Sequence, residues 1–240
     1  MTRSTHTEAL ADAARQLVNG TDIADLLARL VRNSASAMHA DAVGLLLRST
    51  SGGLELLAST SHRVAELELF QVQTDSGPCI DAIAAAAPVS AVGRADLIER
   101  WPTVGGTIVE SGYSSVHAFP LVWRGRVLGG LNVFTTSDEP WDGQQMSVGQ
   151  TFADVSTLAV VHLPELSETE LSARIDRALA GRVVIEQAKG VLAHVHDVST
   201  DEAYDHLTQL AAEQGSTLTA TAQGIIDAAA RRTRDESAQA

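Results

Sequence analysis

Between Leu171 and Leu192, side chains of one kind of helix recur at spacings of 4, 3, 4, 3, 4 and 3: Leu171, Ile175, Ala178, Arg182, Ile185, Lys189 and Leu192. That alternation is the seam of a coiled coil or of a long packed helix. Beyond it, Ser199-Thr200-Asp201-Glu202 forms a capping box that opens a second helix, with Ala203, Leu207, Leu210 and Ala211 facing inward. Gly215 ends that helix, and Ser216 or Thr217 caps a third, whose core face carries Leu218, Ala222, Ile225 and Ile226. Pro164 interrupts the helical pattern after His162-Leu163 and marks a kink or boundary. The chain therefore divides into residues 1–163 and an all-α segment, 164–240.

The first segment has a different rhythm. Leu10, Ala13, Ala14, Leu17 and Val18 fit one helix, Asn19-Gly20 breaks it, and Thr21 or Asp22 caps a second with Ile23, Leu26, Leu27, Leu30 and Val31 on its apolar stripe. Strand-like runs follow at Ala42–Leu47 and Leu54–Ala58, joined by a turn at Ser51-Gly52-Gly53. Two more, Ser115–Trp123 and Val127–Phe134, flank Arg124-Gly125-Arg126. After Pro140-Trp141-Asp142-Gly143 the pattern is helical from about residue 144 to 161. Helices, strands, a helical and loop insertion, strands and a helix together predict an α+β domain with an antiparallel sheet.

Apolar residues make up 45% of the chain and charged residues 20%, which excludes a disordered protein. No apolar run approaches the length needed to span a bilayer. The start, Met1 to His6, lacks the pattern of a secretion signal, and Cys79 is the lone cysteine, so a soluble cytoplasmic protein is expected. The net charge of −13 excludes nonspecific nucleic-acid binding through a basic surface. From residue 165 onward there are 13 acidic against 7 basic residues, so any nucleic-acid contact there must be local. No metal cluster, Walker loop, Rossmann glycine pattern, serine elbow or convincing carboxylate pair appears, and no enzyme or cofactor is expected.

Within the seam, Lys189 is the only lysine of the chain. Arg182 lies seven residues before it, on nearly the same side of the helix and about 10 Å away along the axis. The Arg182 fork can grip a phosphate or a guanine edge, and Gln187 offers a donor and an acceptor to a base. Gly190 inside a helix costs about 1 kcal/mol relative to alanine, which the close approach of a backbone or a ligand would offset. Spacing alone equally allows a coiled coil whose polar positions set register or pair with Glu186 and nearby acids.

The stretch Ala178-Leu179-Ala180-Gly181-Arg182-Val183-Val184-Ile185-Glu186-Gln187-Ala188-Lys189-Gly190-Val191-Leu192, with the cap at Ser199 to Tyr204 and the closing helix, resembles the ANTAR domain over roughly residues 166–232. The resemblance implies a three-helix RNA-binding module of a bacterial transcription antiterminator that grips paired hairpins in leader RNA. Carried over by position, its RNA face falls on Arg182, Gln187, Lys189 and Gly190, with Ser199, Tyr204 and Thr217 nearby. Thr217 stands where the family often has a basic residue, and Gly181 where it usually has serine. Tyr204 fits both base stacking and a half-buried helix position.

The run Asp75-Ser76-Gly77-Pro78-Cys79-Ile80-Asp81-Ala82-Ile83, together with Arg100-Trp101-Pro102, Phe119-Pro120-Leu121 and Leu128-Gly129-Gly130-Leu131-Asn132-Val133-Phe134, resembles a GAF domain over roughly residues 7–161. That implies a sensory α+β domain with a small-molecule pocket over its sheet and dimerisation through flanking helices. Cys79 is the one pocket candidate, although Ile80 stands where a bilin-attachment cysteine has histidine, and a buried structural thiol fits it better. His39, His62 and His117 are isolated histidines without ligand spacing. Three functions are weighed: a homodimeric RNA-binding antiterminator with a sensor domain, a small-molecule sensor whose helical tail acts through a protein partner, and a DNA-binding helix-turn-helix. The last would need several polar or basic residues in Leu218–Ala230, where only Gln223 is suitable.

Overall fold

The computed structural model describes residues 6–18, 22–50, 52–161 and 168–238, and the side chains of these except 168, 170, 171, 174 and 232–238. Pro164, the Asn19-Gly20 break, Thr21 and Ser51 lie outside the described residues. The chain falls into two compact units, Met1–Asp176 and Arg177–Ala240.

In the first unit the elements run α1 (His6–Val18), α2 (Ile23–Met38), β1 (Ala42–Arg48), β2 (Leu54–Ser59), α3 (His62–Thr74), α4 (Pro78–Ala85), β3 (Val89–Val92), α5 (Arg94–Arg100), α6 (Pro102–Glu110), β4 (Ser115–Trp123), β5 (Arg126–Thr135) and α7 (Gly143–Val161). The five strands form one antiparallel sheet in the order β2-β1-β5-β4-β3. Asp22 caps α2 by accepting the Ala24 and Asp25 N–H groups, and Ser61 caps α3 by accepting that of Val64. Strand alternation splits the sheet residues between two faces. Gly44, Leu46, Ala118, Gly130 and Asn132 share the face covered by α3 and α4. Phe119 faces α7, where Gly149 leaves room for its ring. Helix α2 packs beside α7 and along β1 and β2.

The expected strand pairs and hairpins are present to within a residue or so. β3 was not expected: it is a four-residue edge strand, Val-Ser-Ala-Val, with Ala91 alone buried, too short to carry a readable alternation. Val18 also departs from expectation. It stands exposed, because five residues on from Ala13 it points about 140° away from the buried Ala9–Ala13 stripe.

The C-terminal helices are α8 (Glu168–His196), α9 (Thr200–Gln214) and α10 (Leu218–Ala238). Ile175, Ala178, Ile185 and Leu192 of the seam are buried, and Arg182 and Lys189 are half-buried on the same stripe. A left-handed Asp197 ends the α8 turn. The Ser199 box forms in full, with the Ser199 hydroxyl accepting the Glu202 N–H and Glu202 accepting the Ser199 N–H. Gly215, at φ 60°, lets the chain turn left-handed after α9, and its N–H closes on the Ala211 and Ala212 carbonyls. Thr217, rather than Ser216, caps α10: its Oγ1 accepts the Ala220 N–H at 3.1 Å. Ala203, Leu207, Ala211, Leu218 and Ala222 are buried as their spacing predicts, whereas Leu210, Ile225 and Ile226, also expected inward, are half-buried.

Candidate functional site

Two polar arrangements stand out, one in each unit, and they differ in kind. On α8, Lys189 Nζ lies 3.1 Å from both carboxylate oxygens of Glu186, one turn earlier. The same ammonium sits 5.5 Å from the centre of the Tyr204 ring on α9, within range of a cation–π contact. The Lys189 side chain is only 16% exposed, against 48% for Glu186. The cation is thus held from two sides, by the carboxylate and by the ring. Gln187 and Gly190 are also exposed, but Gln187, two residues before Lys189, projects from nearly the opposite side of the helix.

Of the residues expected on this face, Lys189 and Tyr204 are brought into contact. Arg182 is half-buried one heptad before Lys189. Ser199 and Thr217 act locally as the caps of α9 and α10, so the first duty of both hydroxyls is to satisfy helix N–H groups. At Gly190, an added Cβ would meet nothing within 4 Å. The expected close approach of another backbone is therefore absent there among the described residues. Next to this face, His196 on α8 and His206 on α9 meet edge to face at 5.7 Å, a contact sequence spacing did not suggest.

In the sheet unit the polar groups are buried. Glu68 of α3 is 0% exposed and accepts from Asn132 Nδ2 on β5 at 2.7 and 2.6 Å, and from Gln71 Nε2 at 3.0 Å. Gln71 Oε1 in turn accepts the Cys79 N–H at 3.2 Å, tying α3 to the start of α4. Burial pushes the Glu68 carboxyl up to about 8, against the opposing pull of Asn132. It is therefore mostly protonated at neutral pH. Burial first, and then neighbouring Glu68, push the Cys79 thiol well above its ordinary value. Glycines make the space: a Cβ at Gly44 would run into Glu68 Oε1, and one at Gly130 would lie 2.8 Å from Cys79 Sγ.

Cys79 itself is fully enclosed, among Leu46, Leu56 and Ile83. Its setting is that of a packed neutral thiol. Glu68 and Gln71 were missed in the sequence, although both fall on the Val64–Leu67 stripe of α3, where an acid and an amide among core positions signal a buried partner. On the opposite face of the sheet, His117 is buried and stacks on Trp141 at 4.1 Å, with Nδ1 2.9 Å from Ser90 Oγ. Burial pushes its imidazole down to about 4, so it is neutral. Nearby, a cavity of about 350 Å³ opens between α1, α2 and α7, lined by Met38, His39, Trp141, Asp142 and Gln145. Among the described residues no group of three or more His, Cys, Asp or Glu side chains is placed to hold a metal ion. No described helix is long and apolar enough to cross a membrane.

Comparison with known proteins agrees with this division. The GAF domain family model matches residues 22–160, and the ANTAR domain model matches residues 173–226. No curated protein matches the chain. Among solved structures, the GAF domain of an Acinetobacter phosphoenolpyruvate-protein phosphotransferase superposes with a TM-score of 0.51 at 17% identity, covering 65% of this chain and 92% of that one. The corresponding GAF domain from Coxiella burnetii gives 0.51 at 18% identity, covering 68% and 96%. The phycocyanobilin-bound GAF domain of a cyanobacterial phytochrome gives 0.51 at 10% identity, covering 66% and 95%. At these identities the likeness is one of fold.

Proposed function

We propose that this chain, which belongs to the GAF domain family and carries an ANTAR domain behind it, is an RNA-binding transcription antiterminator whose N-terminal domain, residues 1–163, governs the RNA-binding segment 164–240. The observation that carries the reading is the α8 face. It presents the sole lysine of the chain over an aromatic ring, with an open glycine next to it. A cation lying over Tyr204, next to a surface with no Cβ at Gly190, suits a phosphate backbone passing close to the helix. Arg182, one heptad earlier, supplies a second cation about 10 Å along the axis, a spacing that suits a bent strand.

RNA hairpins are the proposed partner. The chain acts as a homodimer in the cytoplasm, without catalysis or a cofactor of its own. Two copies would hold two linked hairpins and gain affinity through effective concentration. Such recognition is local, since the net charge of −13 opposes general attraction to nucleic acid.

The test is a titration of the full chain with tandem-hairpin RNA at moderate salt, alongside Lys189→Ala and Arg182→Ala. Each substitution is expected to weaken binding about 5-fold or more, on the scale of a charge-assisted hydrogen bond. Equal binding by both variants and the wild type would rule out the assigned face. The net charge of −13 and Thr217, where the family often has a basic residue, favour a second reading, in which the helical tail engages a protein partner. In that case no RNA binding is measurable at moderate salt.

A further inference from the structure

The ammonium assigned to RNA is already engaged. Lys189 Nζ makes two 3.1 Å contacts with the carboxylate of Glu186, one to each oxygen, and lies against the Tyr204 ring. A carboxylate presenting two oxygens to one ammonium reproduces the acceptor pattern of a phosphate. The two partners are unequally fixed. Lys189 is 16% exposed, packed between acid and ring, whereas Glu186 is 48% exposed and can turn into water without leaving a buried charge behind.

Resting on the RNA reading of α8, we infer that Glu186 is a built-in acidic competitor for the RNA backbone. It occupies the place of a phosphate on Lys189 and has to release the ammonium before RNA is gripped. Tyr204 has the complementary role of a positioning residue, keeping the cation at the α8–α9 surface during the exchange. The strength of RNA binding is then set partly by an acid that touches no RNA.

Two consequences separate this from a plain surface ion pair. Removing the carboxylate tightens RNA binding, and the gain vanishes when Lys189 is absent. Because an exposed or half-exposed pair is weak, Glu186→Gln should tighten binding of a tandem-hairpin RNA pool with randomised loops by roughly two- to fivefold. It should steepen the salt dependence of log K by a fraction of about 0.7 to 0.9, the slope carried by one phosphate contact. The Lys189→Ala, Glu186→Gln double variant should bind like Lys189→Ala alone.

Lys189 being the only lysine allows a readout that needs no RNA. Its acylation by an amine-reactive ester, followed by mass spectrometry with the α-amine as internal reference, should quicken severalfold in the full-length Glu186→Gln protein. Faster acylation together with tighter RNA binding supports the inference. RNA affinity that is unchanged or weaker in Glu186→Gln, while Lys189→Ala still weakens binding, overturns it and leaves the RNA reading standing. If Lys189→Ala has no effect on RNA, the reading of the α8 face fails and the inference fails with it.

Discussion

Gly44 and Gly190 are the same residue put to opposite uses in the two units. Gly44 lies in a central strand, where a Cβ would collide with the buried carboxyl of Glu68. Gly190 lies on a helix surface, where a Cβ would meet nothing. The first glycine makes room for a polar group inside the fold. The second faces open space, at a cost of about 1 kcal/mol in helix stability relative to alanine. Their surroundings differ in the same sense. Glu68, Gln71, Asn132 and Cys79 are all 0% exposed, and burial shifts the two of them that titrate, Glu68 and Cys79, whereas the Lys189–Glu186 pair lies at the surface, where salt screens it.

The largest effect that sharpens this contrast is in the pH dependence of stability. The folded Glu68 carboxyl titrates near 8, above its ordinary value of 4.5, so the folded chain keeps a proton that the unfolded chain releases. Its contribution is fully present below about 4.5 and is lost as pH rises through about 8, at up to about 1.4 kcal/mol per pH decade in between. Denaturant unfolding of the N-terminal unit should therefore show stability falling from pH 5 to 8, and Glu68→Gln should flatten that slope. A wild-type curve already flat across this range would mean that Glu68 is ionised in the fold.

Next in size is Gly44→Ala, expected to lower stability by about 1–3 kcal/mol through overpacking against Glu68. In a Glu68→Ala background the same change should cost much less, because the colliding atoms are gone. Gly190→Ala should behave oppositely, raising the thermal stability of the helical unit by about 0.5–1 kcal/mol while weakening RNA binding. Stabilisation without any loss of RNA affinity would remove Gly190 from the interface. The smallest effect is on salt: Arg182→Ala should lower the slope of log K against log salt by about 0.7 to 0.9, as one phosphate contact is lost.

The two regions also differed in how far they could be read from sequence. The α9 capping box, the Gly215 stop and the Arg124-Gly125 hairpin were legible because each depends on residues within a few positions of one another. The Glu68–Asn132 pair spans 64 residues and becomes visible only once β5 is placed beneath α3. Asn132 stands in the glycine-rich run 128–134, but nothing local in Glu66-Leu67-Glu68-Leu69 separates the buried Glu68 from the exposed Glu66. On α8 the seam and the pairing of Lys189 with Glu186 were both on the table as alternatives to RNA contact. The structure contains the ion pair, with Lys189 on the seam and the exposed Glu186 flanking it.

Acylation footprinting of Lys189 in the full-length protein, with and without saturating tandem-hairpin RNA, addresses the RNA face most directly. With the unchanged α-amine as reference, the account predicts that bound RNA slows modification of Lys189 severalfold. Equal modification rates with RNA bound and RNA absent would contradict it.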